Sequence, residues 1–119
     1  MTMIRWLYKR IIHKLDLSVE ELQELKMRLT PENICKGPFV QGEKNCPNTT
    51  ALAIKESRER FKVADEVKKI LGNYGITSAE LWLFYIIFDL PAMISEDFFR
   101  RALTKMKISI VELINLKQG

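Results

Sequence analysis

Residues Ala79 to Leu90, AELWLFYIIFDL, constrain the fold more than any other stretch, because Leu81 to Phe88 are apolar without a break. That run is far shorter than the roughly 20 residues a membrane-crossing helix needs. A short, wholly apolar run is instead expected to be a segment buried on every side. Thr77 precedes it as an N-cap, Glu80 completes a capping box, and Ile76 with Leu81 supplies the hydrophobic staple. Pro91 is expected to end it, because the residue before a proline is pushed out of helical geometry. Residues 77–90 are therefore expected to form a short central helix around which the others pack.

The same logic organises the rest of the chain. Ile4, Leu7, Tyr8, Ile11 and Leu15 fall at helical spacing, with Arg5, Lys9 and Lys14 off the stripe. Ser18 with Glu21 makes a second capping box, followed by Leu22, Leu25 and Leu29 and stopped at Pro31. Residues 31–48, PENICKGPFVQGEKNCPN, carry three prolines and two glycines and are expected to be one long irregular loop. Loops of this length inside a compact domain are usually functional or mobile. A long helix capped by Asn48 or Thr49 is expected to run to Leu71, with Glu56–Arg60 and Asp65–Lys69 pairs and a kink or solvent-bridging middle at KESRER. Gly72 is its expected C-cap. After Pro91, Ser95 is expected to cap a helix to about Lys105, and Ser109 with Glu112 to cap a last one. No segment alternates with period two for long enough to argue for a strand. The expectation is an all-α, compact bundle of about six helices, with residues 1–119 forming a single helical domain.

Composition narrows the function classes. The chain is 47% hydrophobic and 29% charged, which is globular rather than disordered. Its first residues intersperse charge with apolar groups rather than forming a signal peptide, so a cytoplasmic location with reduced thiols is expected. The net charge of +4 is mild, but its distribution is uneven. Arg5, Lys9, Arg10 and Lys14 stand without acids at the N-terminus, and Lys55, Arg58, Arg60, Lys62, Lys68 and Lys69 cluster in the middle.

Candidate chemistry is sparse. Cys35 and Cys46 bracket the long loop, two ligands short of a structural zinc site, and the only histidine is His13. Cys46 lies just before an expected helix N-terminus, where the dipole can lower a thiol pKa, and is the candidate reactive thiol. Two ordinary, partly buried cysteines are the preferred alternative. Glycine spacing matches neither a Walker nor a dinucleotide loop, and no nucleophile–base motif is present, so neither an enzyme nor a cofactor or metal is expected. Asp89 ends the apolar run. It is expected to be exposed near a helix end, with partial burial and a raised pKa as the alternative.

The last two expected helices have the length and spacing of a helix-turn-helix, but Ile110, Val111, Leu113, Ile114 and Leu116 leave the second little with which to read bases. The function expected is a small non-enzymatic helical binding protein that contacts another protein as an adaptor, regulator or inhibitor. Candidate contacts are Phe39 and Val40 in the loop and Ile110 and Ile114 in the apolar C-terminal helix, with self-association as a homo-oligomer a variant of this reading. The alternative is nucleic-acid binding by basic helix faces, with Arg5, Lys9, Arg10, Lys14, Lys62 and Lys69 contacting phosphates. A thiol, redox or metal-linked protein centred on Cys35 and Cys46 is more distant. Binding to a membrane surface through the basic, amphipathic first helix is a minor option.

Overall fold

A computed structural model describes residues 2–119. Helices α1 (Thr2–Leu15) and α2 (Val19–Arg28) lead into a hairpin of β1 (Val40–Gln41) and β2 (Lys44–Asn45). Helices α3 (Pro47–Lys55) and α4 (Ala64–Asn73) follow. α5 (Ser78–Phe84) then passes through a π-helical turn (Tyr85–Asp89) into α6 (Leu90–Ile94), and α7 (Glu96–Gln118) closes the chain. Because α5, the π turn and α6 form one continuous rod, the described residues make a mostly-α bundle of six helical units and one small hairpin.

Helix α1 buries the most complete face. Ile4, Leu7, Tyr8, Ile11, Ile12 and Leu15 are all buried, and α1 packs on α7, α3, α5 and the π turn. The Tyr8 hydroxyl donates to the Pro47 carbonyl at 3.0 Å, which satisfies a phenol that burial would otherwise penalise. An aromatic file of Tyr8, Phe84, Phe88 and Phe99 then links α1 through the rod to α7 at centroid spacings of 6.1, 5.3 and 6.0 Å.

The two capping boxes form as the sequence predicts, at Ser18–Glu21 and Thr77–Glu80. Glu80 does more than cap. Its carboxylate also accepts from Arg10 Nε at 2.8 Å and Lys14 Nζ at 2.7 Å, tying the start of the rod to α1.

Several expectations are corrected. The apolar run is not buried on every side: Phe84 and Phe88 face the core, whereas Trp82 is 63% exposed and Ile86 44%. Pro91 does not end the helix, which continues to Ile94. In an α-register the proline ring would meet the Ile87 carbonyl. The π turn widens the ladder at this point, with the Leu90 N–H donating to the Tyr85 carbonyl, and the chain passes the proline without stopping.

The long helix expected after Asn48 is two helices. The Phe61 N–H donates to Asn45 Oδ1 at 2.8 Å, and Asn45 Nδ2 donates to the Phe61 carbonyl at 2.9 Å. This clamp holds the buried Phe61 between α3 and α4, while Ser57 takes a positive φ of 57° to make the turn. Arg58 consequently pairs with Glu66 and lies over the Phe61 ring, and Glu56 accepts from the Tyr74 hydroxyl. The expected Glu56–Arg60 and Asp65–Lys69 pairs do not form.

Further differences lie at the hairpin, at the start of α3 and in α7. Residues 31–48 are not wholly irregular, since β1 and β2 pair antiparallel around Gly42 at φ 60°. The true cap of α3 is Cys46, whose sulfur accepts from the Thr49 N–H, with Pro47 in the first helical turn. At the other end, α7 runs 23 residues without a turn, so there is no helix-turn-helix there. Ser109 is no cap: it is buried, and its hydroxyl donates to the Arg5 carbonyl at 2.9 Å.

The Asn45 clamp yields a direct test. Asn45→Ala leaves the Phe61 N–H and C=O buried without partners, and the expected loss is about 2–4 kcal/mol of unfolding free energy. Urea denaturation of the variant against the parent protein measures it.

Candidate functional site

A cavity of about 480 Å³ opens between the hairpin, the start of α3, α4 and the rod. Pro38 and Phe39 come from the hairpin side, Cys46 and Asn48 from the α3 N-terminus, and Lys68 from α4. The rod contributes Ser78, Leu81, Trp82, Phe84, Tyr85 and Asp89. The rod can form this wall because its π turn adds a residue to the helical circuit, and such turns recur at functional sites. Trp82 stacks on Tyr85 at 5.6 Å between ring centroids, which gives the wall a broad aromatic surface.

The polar groups in this apolar wall stand out. Asp89 is 3% exposed and Asn48 2%, and Oδ1 of each has no hydrogen-bond partner among the described residues. Buried side-chain acceptors are almost always satisfied, because removing one from water without a replacement donor costs about 1–3 kcal/mol. Burial pushes the Asp89 carboxyl up to about 8, so near neutral pH it holds its proton. Phe39 adds a third local cost by occupying the left-handed region at φ 56°, which a residue with a Cβ enters only against steric resistance.

The thiols have the environment opposite to that of an activated nucleophile. Burial and then the nearby Asp89 push Cys46 up to about 11, outweighing its bonds from Thr49 and the helix N-terminus. Burial, with Cys46 and Asp89 nearby, pushes Cys35 up to about 12. Both cysteines are free and buried. Iodoacetamide at pH 8 should therefore label neither thiol at the rate of an unfolded control, with intact mass over time as the measurement.

The other sequence candidates are dispersed. Ile110 is fully buried and Ile114 half-buried against the core, so this part of α7 is core, and Phe39 and Val40 are half-buried at the hairpin. Of the basic residues, Arg5 pairs with Glu112 at 3.3 Å, and Arg10 and Lys14 share Glu80. Lys9 is half-buried, while Lys62 and Lys69 are exposed before and within α4. The structure thus brings Phe39 and Cys46 into one site. It joins them to Asn48, Trp82, Tyr85 and Asp89, of which sequence reasoning singled out only Asp89 as a candidate group. The signal for Asp89 was its place as the one acid closing an apolar run; Asn48 carried no signal beyond a helix start.

Among the described residues, no cluster of three or more His, Cys, Asp or Glu could hold a metal ion, and no helix is long and apolar enough to cross a membrane. Comparison of the chain with protein-family models, curated proteins and solved structures finds no match in any of the three.

Asp89 makes stability depend on pH with a definite sign. Its ordinary value is 3.8 and its folded value about 8, so between these limits the folded chain binds the extra proton. Its contribution is complete at acidic pH and is lost as pH rises toward 8. Asp89→Asn, which cannot ionise, should raise the melting temperature by about 5 °C or more at pH 8.5 relative to the parent, and by much less at pH 5. Differential scanning calorimetry at the two pH values measures the difference.

Proposed function

We propose that the protein is a non-enzymatic binding module that engages another protein through the outer face of the α5–π–α6 rod. The observation that carries this reading is the absence of exposed charge along the whole rod. Its only Asp, Glu, Lys, Arg or His residues, Glu80 and Asp89, are both buried. Facing solvent instead are Trp82, Ile86, Leu90, Met93 and Ile94, the last 87% exposed. A helix face that water alone covers ordinarily carries charged side chains. The spacing of these residues makes a seam of about 18 Å, the length over which one helix packs on another.

The size of the patch favours a separate, transient partner over a permanent dimer. These five side chains expose on the order of 500 Å², at the upper end of the largest patch on an ordinary monomer. Two copies paired through it would bury about 1,000 Å² in total, whereas obligate dimers bury 2,000 Å² or more. An amphipathic helix supplied by a partner matches both the area and the seam. The nucleic-acid alternative has less support, because Arg5, Arg10 and Lys14 spend their charge on Glu112 and Glu80.

The test is site-specific crosslinking with benzoylphenylalanine at Met93, and at Lys26 on α2 as a control, in the cell that makes the protein. A discrete adduct from Met93 alone is expected, with its yield reduced about tenfold or more by Ile94→Asp while circular dichroism is unchanged. The partner so identified, once purified, should bind the parent protein at micromolar strength or tighter and bind Ile86→Lys about tenfold more weakly. No adduct, or an adduct only with a second copy of this chain, overturns the reading.

A further inference from the structure

We propose that the cavity under Phe39 and Trp82 is a binding site for a small primary amine with one apolar body, its ammonium group held by Asp89 and Asn48. Two buried side chains carry this independently of the outer face of the rod. Asp89 and Asn48 line the same cavity, are 3% and 2% exposed, and each leaves Oδ1 without a donor among the described residues. The group that completes such a site must bring hydrogen-bond donors to acceptor oxygens. A primary ammonium carries three donors and a charge that matches a carboxylate. An alcohol brings one donor and no charge.

The remaining walls define the body of the ligand. Phe39, Leu81, Trp82 and Phe84 are apolar, and a cavity of about 480 Å³ lies within the ordinary range for small-molecule sites. Aromatic ring faces add attraction for a cation close to them. Lys68, exposed at the α4 edge of the cavity, repels a second positive charge, so the site selects monoamines over diamines. The amine enters as its ammonium ion, and the proton that Asp89 carries in the free protein leaves to solvent, producing an ion pair. Cys35, Cys46, Tyr85 and Lys68 are the other titratable groups around this carboxyl; the two thiols stay neutral near pH 7.5 because burial raises both. The left-handed φ of 56° at Phe39 places local strain at the cavity wall, where a binding site would use it.

Isothermal titration of the full chain with 2-phenylethylamine at pH 7.5 tests the assignment. The amine should bind with Kd below about 1 mM, and about tenfold more tightly than 2-phenylethanol, 3-phenylpropionate or 1,5-diaminopentane. Asp89→Asn should weaken the amine about tenfold or more. Should Asp89→Asn fail to fold, Asn48→Leu of similar volume serves as the second variant, and loss of amine preference is again expected. Absence of amine binding, equal binding of the alcohol, or amine binding indifferent to folded Asp89→Asn or Asn48→Leu overturns the site. Ile94→Asp should leave amine affinity unchanged, so failure of the partner-binding face and failure of this site are read separately.

Discussion

The carboxylate of Glu80 decides how the rod lies across the bundle. It accepts from Arg10 and Lys14 of α1 and twice from Thr77, so one side chain both caps α5 and fixes its direction against α1. Burial alone would push this carboxyl up. The donation from Lys14, from the Thr77 backbone and from Arg10 more than offsets it and holds the group down at about 2. Hydrophobic burial of Phe84 and Phe88 supplies most of the attraction between rod and core, but apolar contact is non-directional. Four donors on one carboxylate provide direction. With the N-terminus of the rod so placed, the π turn can fall where Tyr85 and Asp89 close a cavity against Phe39 and Asn48.

Glu80 and Asp89 show how one chemical group can be put to opposite uses within a few turns of the same rod. Glu80 is buried among donors and ionises readily, contributing stability that is lost only as pH falls toward 2. Asp89 is buried among apolar groups and two raised thiols, and it stays protonated until pH approaches 8. The first arrangement is what a folded core requires. The second opposes folding at neutral and alkaline pH, since an isosteric apolar side chain would fill the space without the desolvation.

What could be read from the sequence was what is decided locally. Both capping boxes depend on a side chain meeting a backbone N–H three residues away, so Ser18–Glu21 and Thr77–Glu80 were legible without any tertiary knowledge. Ser109–Glu112 shows the same local pattern and fails, because the Ser109 hydroxyl finds the Arg5 carbonyl across the core and α7 continues. The charged segment KESRER marked where α3 and α4 separate, but not that the helix ends there, since the cause, Asn45, belongs to the hairpin. Pro91 was a sound stop signal overridden by the π turn, whose register no pattern of apolar residues encodes. At the site, Asp89 was visible as an acid closing an apolar run. Asn48 looked like one more residue at a helix start, because its isolation from donors comes from elements far away in sequence.

The unsatisfied groups are not scattered. Of the three buried side-chain atoms without a partner among the described residues, Arg5 Nε belongs to a guanidinium that already reaches Glu112. The other two, on Asp89 and Asn48, share one cavity, and the left-handed Phe39 stands in its wall. Each such feature costs on the order of 1–3 kcal/mol in a protein whose whole stability is about 5–15 kcal/mol. Elsewhere the chain resolves comparable problems with its own groups: Pro47 receives the Tyr8 hydroxyl, Asn45 takes both backbone groups of Phe61, and Arg5 receives Ser109. A fold that satisfies its buried polar groups by long-range bonds, and leaves two without partners on residues lining one aromatic cavity, concentrates its cost at that cavity.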